Sequence, residues 1–352
     1  MGLESVSFLD DLVATNPVGA TDPKSEGDDH IRNIKTALKA TFPGMVGAAW
    51  RTQAKTTAYT LIANDNMSII KATSGTFTLT LTAAATIGND FMAIVHNLGS
   101  GVVTVDGNGA ETINGWATIA LNQGDSMLLW CDGSNWQAIL DKKPTRQILT
   151  SGTGATYTTP GGVKQLIVKQ RGGGGGGSGS GTTGPNNGTA GSATSFNSVD
   201  AAGGGTGSSG AGSPGTGGSG GSGSANLRIA GVSGSTGGTV FVGATPDKGW
   251  IGGDGGASPY GGLLTGASPS NSPANSGAGG TGGGYSGQVS TGTSVFLSYG
   301  GGQGEYVEQI INNPATTYTY TIGAGGTGGS AGTSGTAGAN GGSGVIIVEE
   351  IY

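Results

Sequence analysis

The chain has 352 residues, of which 77 are glycine and only 10% are charged, and its formal net charge is −6. This balance is unlike the basic surface of a nucleic-acid-binding protein, and the single cysteine, Cys131, excludes an intramolecular disulfide framework and a cysteine-rich zinc site. We expect no cofactor, no metal and no membrane insertion, because the two histidines are far apart in sequence and no apolar run approaches the ~18 residues of a membrane helix.

Glycine is distributed unevenly, and this distribution predicts the domain plan. Residues 1–150 contain 14 glycines, and residues 151–352 contain the other 63. We predict a mainly β chain in three parts: an N-terminal segment with one short helix (1–50), a small antiparallel β-sandwich or roll (51–145) and a glycine-rich domain (146–352).

The N-terminal segment contains one helical pattern, at residues 25–42. Apolar residues recur there with spacings of three and four, at Ile31, Ile34, Leu38 and Phe42, which places them on one face of a helix. A helix this short is marginally stable alone in water, and the flanking sequence offers no core for it. The apolar face therefore predicts self-association of the chain.

The middle of the chain has the two-residue period of β-strands. Short alternating runs occur at 76–82, 91–97, 101–107, 116–122 and 126–140. Asp132-Gly133 is a hairpin signal between two of them. We expect Trp116, Trp130, Trp136 and Cys131 to be core residues rather than site residues.

The glycine-rich domain has strand patterns at both of its ends. Strands at 163–170, 304–311, 316–323 and 344–352 predict a small β-sheet that clamps a glycine-dominated insert. Ordered glycine requires many backbone hydrogen bonds, because glycine loses more backbone entropy than any other residue. Packed helices of the polyglycine-II type provide such bonds, since chains without Cβ atoms approach each other closely. We therefore predict an array of these helices.

Segments with aromatic residues interrupt the glycine runs. We expect the glycine helices to run away from the base strands and to present loops at their far end, which makes these loops a candidate binding surface. The alternative is that each ring plugs an edge of the array. The candidate binding residues are Phe241, Trp250, Tyr260, Phe296 and Tyr299.

The sequence offers little for catalysis. The run of six glycines after Arg171 lacks the Lys-Ser/Thr of a phosphate-binding loop. A polysaccharide depolymerase needs two carboxylates beside the sugar bond, whereas residues 172–304 contain only Asp200, Asp247 and Asp254. A third class, a glycine-rich ice- or surface-binding protein, predicts a flat Thr/Ala face with strict three-residue spacing. We expect no enzymatic activity.

Three segments of the chain resemble parts of tailed-bacteriophage tail fibres. DDLVATNPVGATDPKSEGDDHIRNIKTALKATFPGM resembles the N-terminal segment of many such fibres, and residues 59–139 resemble the small β modules that follow it. VKQLIVKQRGGGGGG, GGGQGEYVEQII and the GGSGVIIVEEIY ending resemble the glycine-rich domain of fibre tips and phage adhesins. The resemblance covers most of the chain.

The resemblance implies a receptor-binding fibre of the virion tail. Such fibres are usually homotrimers that attach to a tail or baseplate protein through the N-terminus and to a host outer-membrane protein or surface glycan through loops of a polyglycine-II sandwich. The start, MGLESVSFLDDLV, has acidic residues where a signal peptide has positive ones, so we expect synthesis in the host cytoplasm without a signal peptide.

Overall fold

A computed structural model describes Ser7, 11–13, 24–42, 50–89, 91–210, 212–241, 247–266, 269–288 and 296–352; only the backbone is described for Glu26, 239–241, 247–250 and 286–288. The fold is mainly β, with 33% of residues in strands and 8% in helices. Two compact units divide the chain: Met1–Lys143 with Pro160–Gly162 and Tyr352, and Pro144–Thr159 with Val163–Ile351. No helix within the described ranges has the length and apolar character needed to cross a bilayer.

The first unit contains the helix that the sequence predicts. Helix α1 spans Gly27–Thr41 and follows a 3-10 turn at Lys24–Glu26. Asp28 and Asp29 lie in its first turn, where the helix dipole favours negative charge, and both accept hydrogen bonds from Arg32 at 2.5 Å. The helix prediction for residues 25–42 is confirmed.

The strands of the first unit form two sheets, with the orders β1-β3-β5-β8-β9 and β2-β4-β6-β7. They are β1 Arg51–Lys55, β2 Tyr59–Thr60, β3 Ser68–Ala72, β4 Phe77–Thr80, β5 Met92–Asn97, β6 Val103–Asp106, β7 Thr118–Leu121, β8 Ser126–Cys131 and β9 Trp136–Asp141. A 3-10 turn at Ala63–Asp65 and a short helix, α2 at Ala84–Ile87, interrupt them.

The prediction of an antiparallel domain is wrong for the first six strands. Strands β1, β3 and β5 pair in parallel in one sheet, and β2, β4 and β6 pair in parallel in the other. Successive strands alternate between the sheets, so the partner of each strand is the next-but-one strand, which runs in the same direction. Only β7, β8 and β9 add antiparallel pairs. The predicted hairpin at Asp132-Gly133 joins β8 to β9 and is confirmed.

The inward side chains of both sheets form one core. Trp136 is fully buried and meets Phe91 edge-on, with ring centroids 5.5 Å apart. Trp116 packs against the same cluster, and Cys131 lies inside it, where burial raises the pKa of the thiol. The core prediction is confirmed for Trp136 and Cys131, while Trp116 and Trp130 are half-buried.

The second unit has three antiparallel sheets, with the orders β10-β21-β12-β19-β15, β11-β20-β13-β14 and β16-β17-β18. The first of these is called the base sheet below. The strands are β10 Thr145–Leu149, β11 Ala155–Thr158, β12 Gln165–Arg171, β13 Thr194–Phe196, β14 Val199–Ala201, β15 Leu227–Ile229, β16 Gly238–Phe241, β17 Asp247–Ile251, β18 Tyr285–Gln288, β19 Tyr306–Asn312, β20 Thr317–Thr321 and β21 Val345–Ile351.

The four strands predicted for the clamp do not share one sheet. Strands β12, β19 and β21 are neighbours in the base sheet, as predicted, but β20 belongs to the second sheet. Its Tyr318 ring packs against Phe196, with centroids 5.3 Å apart. The aromatic residues of TYTYT therefore find their partners in β11 and β13 rather than in the base sheet.

Polar side chains join the second sheet to the base sheet. Tyr157 Oη donates to Glu350 Oε1 at 2.6 Å, and Gln170 Nε2 donates to the carbonyl of Val199 at 2.9 Å. All four side chains are mostly or fully buried. These bonds fix the geometry of the strands that lead into the glycine segments.

Residues 172–181, called the central segment below, bond to several other segments through the backbone. The N–H groups of Gly173, Gly176 and Gly179 donate to residues 192, 189 and 186, and those of Gly174, Gly177 and Ser180 donate to residues 342, 339 and 336. Gly175 and Ser178 donate to residues 302 and 299. Every third N–H thus reaches the same neighbouring segment.

The carbonyl groups of the central segment follow the same three-residue order. They accept from residues 204 and 207, from residues 280 and 283, and from residues 326, 329 and 332. A Cβ atom added at Gly175 would lie 2.0 Å from the carbonyl oxygen of Gly205, and one at Gly176 would lie 2.0 Å from that of Thr327. Only glycine permits this close approach.

Candidate binding surface

The end of the central segment at Gly181 is called the far end, because β12 enters the segment at its other end, Arg171. Phe296 lies at the far end: its N–H donates to the carbonyl of Gly181 at 3.0 Å, and its side chain is 40% exposed. Ser180 Oγ donates to Gly284, directly before β18, and the N–H of Gly237, directly before β16, donates to Ser298. The β16-β17-β18 sheet therefore adjoins Phe296.

Two candidate binding residues lie in this small sheet. Phe241 is the last residue of β16, and Trp250 in β17 pairs with Thr239 and Tyr285 across the sheet. Their side chains lie outside the described part of the chain. Ile251, which follows Trp250, is exposed. Ile251 is not among the predicted binding residues, which are all aromatic.

Tyr299 is buried, so it matches the alternative prediction of a packing residue and not the prediction of an exposed binding residue. Its side chain is 6% exposed, its N–H donates to Ser178 Oγ at 2.8 Å, and its hydroxyl donates to Gly210 at 3.4 Å. The ring is thus enclosed by two glycine segments and is removed from the candidate surface. Tyr285 is buried in the same way.

Tyr260 is exposed, but it lies at the base-sheet end of the central segment. The prediction that it belongs to a binding surface at the far end is therefore wrong. Its ring is 45% exposed, and its centroid is 5.6 Å from Cζ of Arg171, the last residue of β12. The turn that carries it is closed by an N–H from Gly262 to Ser258 at 2.7 Å. Ser258 Oγ also donates to the carbonyl of Ser276. Tyr260 is therefore separate from Phe296.

Arg171 and several charged neighbours lie at the other end of the central segment, where β12 of the base sheet enters it. Cζ of Arg171 lies 5.6 Å from the centroid of the Tyr260 ring and 5.3 Å from that of the Tyr306 ring, and burial lowers the pKa of its guanidinium. Burial, together with a 3.1 Å hydrogen bond to Glu308, raises the pKa of Tyr306. Lys169 forms a 2.8 Å ion pair with Glu349, and this hydrogen bond raises the pKa of the lysine.

The apolar stripe predicted for oligomerisation lies on α1. Ile31, Ile34 and Leu38 are exposed large apolar side chains, with Ile31 at 54%, and Phe42 is half-buried. Ala37 and His30 are the buried residues of the helix. The stripe therefore remains available for a partner.

The carboxylates considered for hydrolysis have structural contacts. Asp254 Oδ1 accepts the N–H of Gly266 at 2.7 Å, which closes the loop that carries Tyr260. Asp200 Oδ2 accepts a hydrogen bond from Ser222 Oγ. The Asp247 side chain lies outside the described residues. Both described carboxylates thus bond to neighbouring parts of the glycine-rich domain.

A regular polar ladder is a feature that the sequence analysis missed. Thr183, Asn186 and Thr189 on one segment bond through their side chains to Thr333, Ser330 and Thr327 on another, at 2.8, 2.7 and 3.1 Å. All six are exposed. The three-residue spacing on each segment is readable in the sequence.

Comparisons with known proteins add no relative: no family model, no curated protein and no solved structure matches this chain.

Proposed function

We propose that this protein is a tail fibre of a tailed bacteriophage, which attaches to a tail or baseplate protein through residues 1–50 and binds a receptor on the host surface through its glycine-rich domain. The observation that carries the proposal is the far end of the central segment. There an exposed Phe296 adjoins a small sheet that contains Phe241 and Trp250. Exposed aromatic groups on loops that a rigid scaffold positions are typical of binding surfaces.

The scaffold, in this proposal, is an array of polyglycine-II helices held by the base sheet. The three-residue order of hydrogen bonds along the central segment supports this assignment, because such a helix has three residues per turn. Carbonyl oxygens of neighbouring segments, which would lie only 2.0 Å from a Cβ added at Gly175 or Gly176, support it as well. The array is a core made of backbone rather than of side chains.

This geometry gives the domain its reach. At ~3.1 Å per residue, the ten residues of the central segment, 172–181, carry the chain about 31 Å from the base sheet. Phe296 therefore meets the host surface before the base sheet does. The fibre acts in the virion after synthesis in the host cytoplasm.

The fibre, in this proposal, is a homotrimer. The exposed stripe of Ile31, Ile34 and Leu38 supports association, since burying each such side chain contributes about 1.5–3 kcal/mol. Three copies of α1 that pack stripe to stripe bury these residues around a common axis.

The purified protein tests the proposal directly. Saturating protein should slow adsorption of the phage that carries this fibre to its host, because free fibres occupy the receptors. A variant shortened to residues 1–150 is the control and should not compete. Unchanged adsorption at saturating full-length protein would contradict the receptor-binding proposal.

A depolymerase is the enzymatic alternative. It predicts sustained release of reducing ends from purified host capsule or lipopolysaccharide, and loss of that release in Asp247→Asn or Asp254→Asn. We expect none, since the hydrogen bond from Gly266 commits Asp254 to a loop.

One observation favours a second function, binding to a regular surface such as ice. The ladder from Thr183 to Thr189 has the three-residue spacing that this function requires. Its hydroxyl and amide groups, however, bond to each other across the two segments, so their main effect is to brace the array. Inhibition of ice recrystallisation, lost in Thr189→Val, would establish the second function.

A further inference from the structure

Arg171 is a buried cation whose charge is not neutralised by a carboxylate among the described residues. Its side chain is 7% exposed, and among the described residues no carboxylate forms an ion pair with it. Its contacts there are one hydrogen bond, from Nη1 to the carbonyl of Gly304 at 3.3 Å, and the faces of two tyrosine rings. Burying a charge without a counter-charge is costly, so this arrangement calls for an anion.

The unused donors of Arg171 form one edge of the guanidinium. Nε is buried and donates to no acceptor, whereas Nη1 is occupied by Gly304. Nε and Nη2 lie side by side and point two N–H groups in parallel, which matches the two oxygens of a carboxylate or phosphate. The shape of the free edge therefore selects an oxyanion.

The surroundings of this edge add an apolar platform. Tyr260, which is 45% exposed, and Tyr306 place their ring centroids 5.6 and 5.3 Å from the Arg171 guanidinium carbon. A tyrosine ring has a large apolar face that packs against the C–H groups of a sugar ring. Lys169, on the same face of β12, lies near Tyr260, and its charge is paired with Glu349.

We propose that Arg171, Tyr260 and Tyr306 form a second binding site, at the base-sheet end of the glycine array, for a sugar that carries a carboxylate or a phosphate ester. The free Nε/Nη2 edge holds the oxyanion, and the Tyr260 ring stacks on the sugar. The Tyr260 side chain rotates to admit the ligand, while its backbone stays in the turn closed by Ser258. The inference rests on the proposed function and adds to it an anionic glycan as one receptor class.

Calorimetric melting of the full chain at constant ionic strength tests the site. The probes are glucuronate, glucose 6-phosphate, inorganic phosphate and neutral glucose. A ligand at ten times its dissociation constant raises the folded-to-unfolded ratio about elevenfold, which corresponds to a rise of roughly 3–6 °C in Tm for a unit of this size. We expect this rise with glucuronate or glucose 6-phosphate, whichever sugar anion is the ligand, and none with glucose.

Three variants assign the effect to its residues. Arg171→Met keeps the stem but removes the charge, and it should abolish the shift; Arg171→Lys keeps the charge but loses the paired donors, and it should weaken binding at least tenfold. Tyr260→Ala should reduce sugar-anion binding to the level of inorganic phosphate. Arg146→Met, on exposed β10 of the same sheet, is the matched control and should bind as the wild type does.

Two outcomes would overturn the inference: no anionic probe raises the Tm of the wild type, or Arg171→Met and Arg171→Lys keep the full shift. Either result leaves the proposed function intact if the protein still competes with the phage for its host. Conversely, anion binding without such competition would support the site and contradict the tail-fibre proposal.

Discussion

At the scale of single residues, interior glycines are the least replaceable positions of this chain. In the central segment a Cβ at Gly177 would lie 2.1 Å from the carbonyl oxygen of Thr281, and the neighbouring glycines are equally confined. The contact is with backbone, so no side chain can move aside. Separating two segments breaks several of their hydrogen bonds at once, since every third residue bonds to the same neighbour.

Gly175→Ala should therefore lower the free energy of unfolding of the glycine-rich unit by about 3 kcal/mol or more, the upper end of the range for overpacking. Chemical denaturation measures this change. Gly238→Ala is the matched control, because its Cβ would meet only Ile251 at an ordinary 3.7 Å. Equal stability of the two variants would contradict the close packing of the glycine segments around residue 175.

Asp132 gives a residue-scale pH dependence in the first unit. Its carboxylate accepts hydrogen bonds from Gln137 Nε2 at 2.9 Å and from the N–H groups of Asn135 and Ser134 at 2.7 and 2.9 Å. These bonds, Gln137 first, lower the pKa of Asp132. A lowered pKa stabilises the folded state at pH values above the ordinary pKa of an aspartate, about 3.9. This stabilisation is lost as the pH falls through the pKa of the folded state.

The comparison with Asp132→Asn tests this linkage. The amide oxygen accepts the two backbone N–H bonds that Oδ1 accepts, whereas the bond from Gln137 to Oδ2 is lost at every pH. Because the amide does not titrate, the Tm difference between wild type and variant should be constant from pH 7 to 5. Below about pH 4 the difference should move in favour of the variant, because only the wild type must take up a proton. A difference that stays constant down to pH 2.5 would contradict the lowered pKa.

Residue-scale exposure was only partly predictable from sequence. Phe296 and Tyr299 are three residues apart in an aromatic insert, yet one is exposed and the other is a plug. The difference arises because Tyr299 meets Gly210 and Ser178, which are about 90 and 120 positions away. Periodicity contains no information about such distant partners.

At the scale of elements, local patterns predicted what local physics determines. The three-and-four spacing placed α1 correctly, and the Asp132-Gly133 signal placed the β8–β9 hairpin. The parallel pairing of β1, β3 and β5 was not predictable in this way. The strands of each pair are separated in sequence by a strand that belongs to the other sheet. Strand β20 was assigned to the wrong sheet for the same reason.

Helix α1 provides the element-scale prediction. Ile34→Asp places a charge in the exposed apolar stripe and should shift the protein from trimer to monomer in light scattering, because the charge loses its water in the interface. Thr36→Asp is the control on the opposite, exposed face of the helix and should remain trimeric. A wild type that scatters as a 34.0 kDa monomer would contradict the trimer itself.

At the scale of the whole molecule, the glycine and proline content alone is typical of disorder, and the prediction of an ordered domain came from its strand patterns. The two strand-rich ends indicated that the insert is anchored, and the base sheet has three of the four strands expected there. Which segments surround residues 172–181 was not predictable, because glycine runs are interchangeable in sequence. The position of Tyr260 depends on that arrangement, since its loop returns to the base-sheet end.

The last prediction separates binding from packing in the full-length protein. Phe296→Ala removes an exposed ring at the far end, so it should reduce adsorption to host cells at least tenfold while Tm changes little. Tyr299→Ala removes a buried ring three residues away and should instead destabilise the glycine-rich unit by about 3–5 kcal/mol, as large-to-small core substitutions do. Each variant is the other's control, because both lie on one segment and lose a ring of similar size. Adsorption and melting, measured on the same preparations, give the two readouts. Normal adsorption by Phe296→Ala, together with normal adsorption by Phe241→Ala and Trp250→Ala, would exclude the far end as the receptor-binding surface.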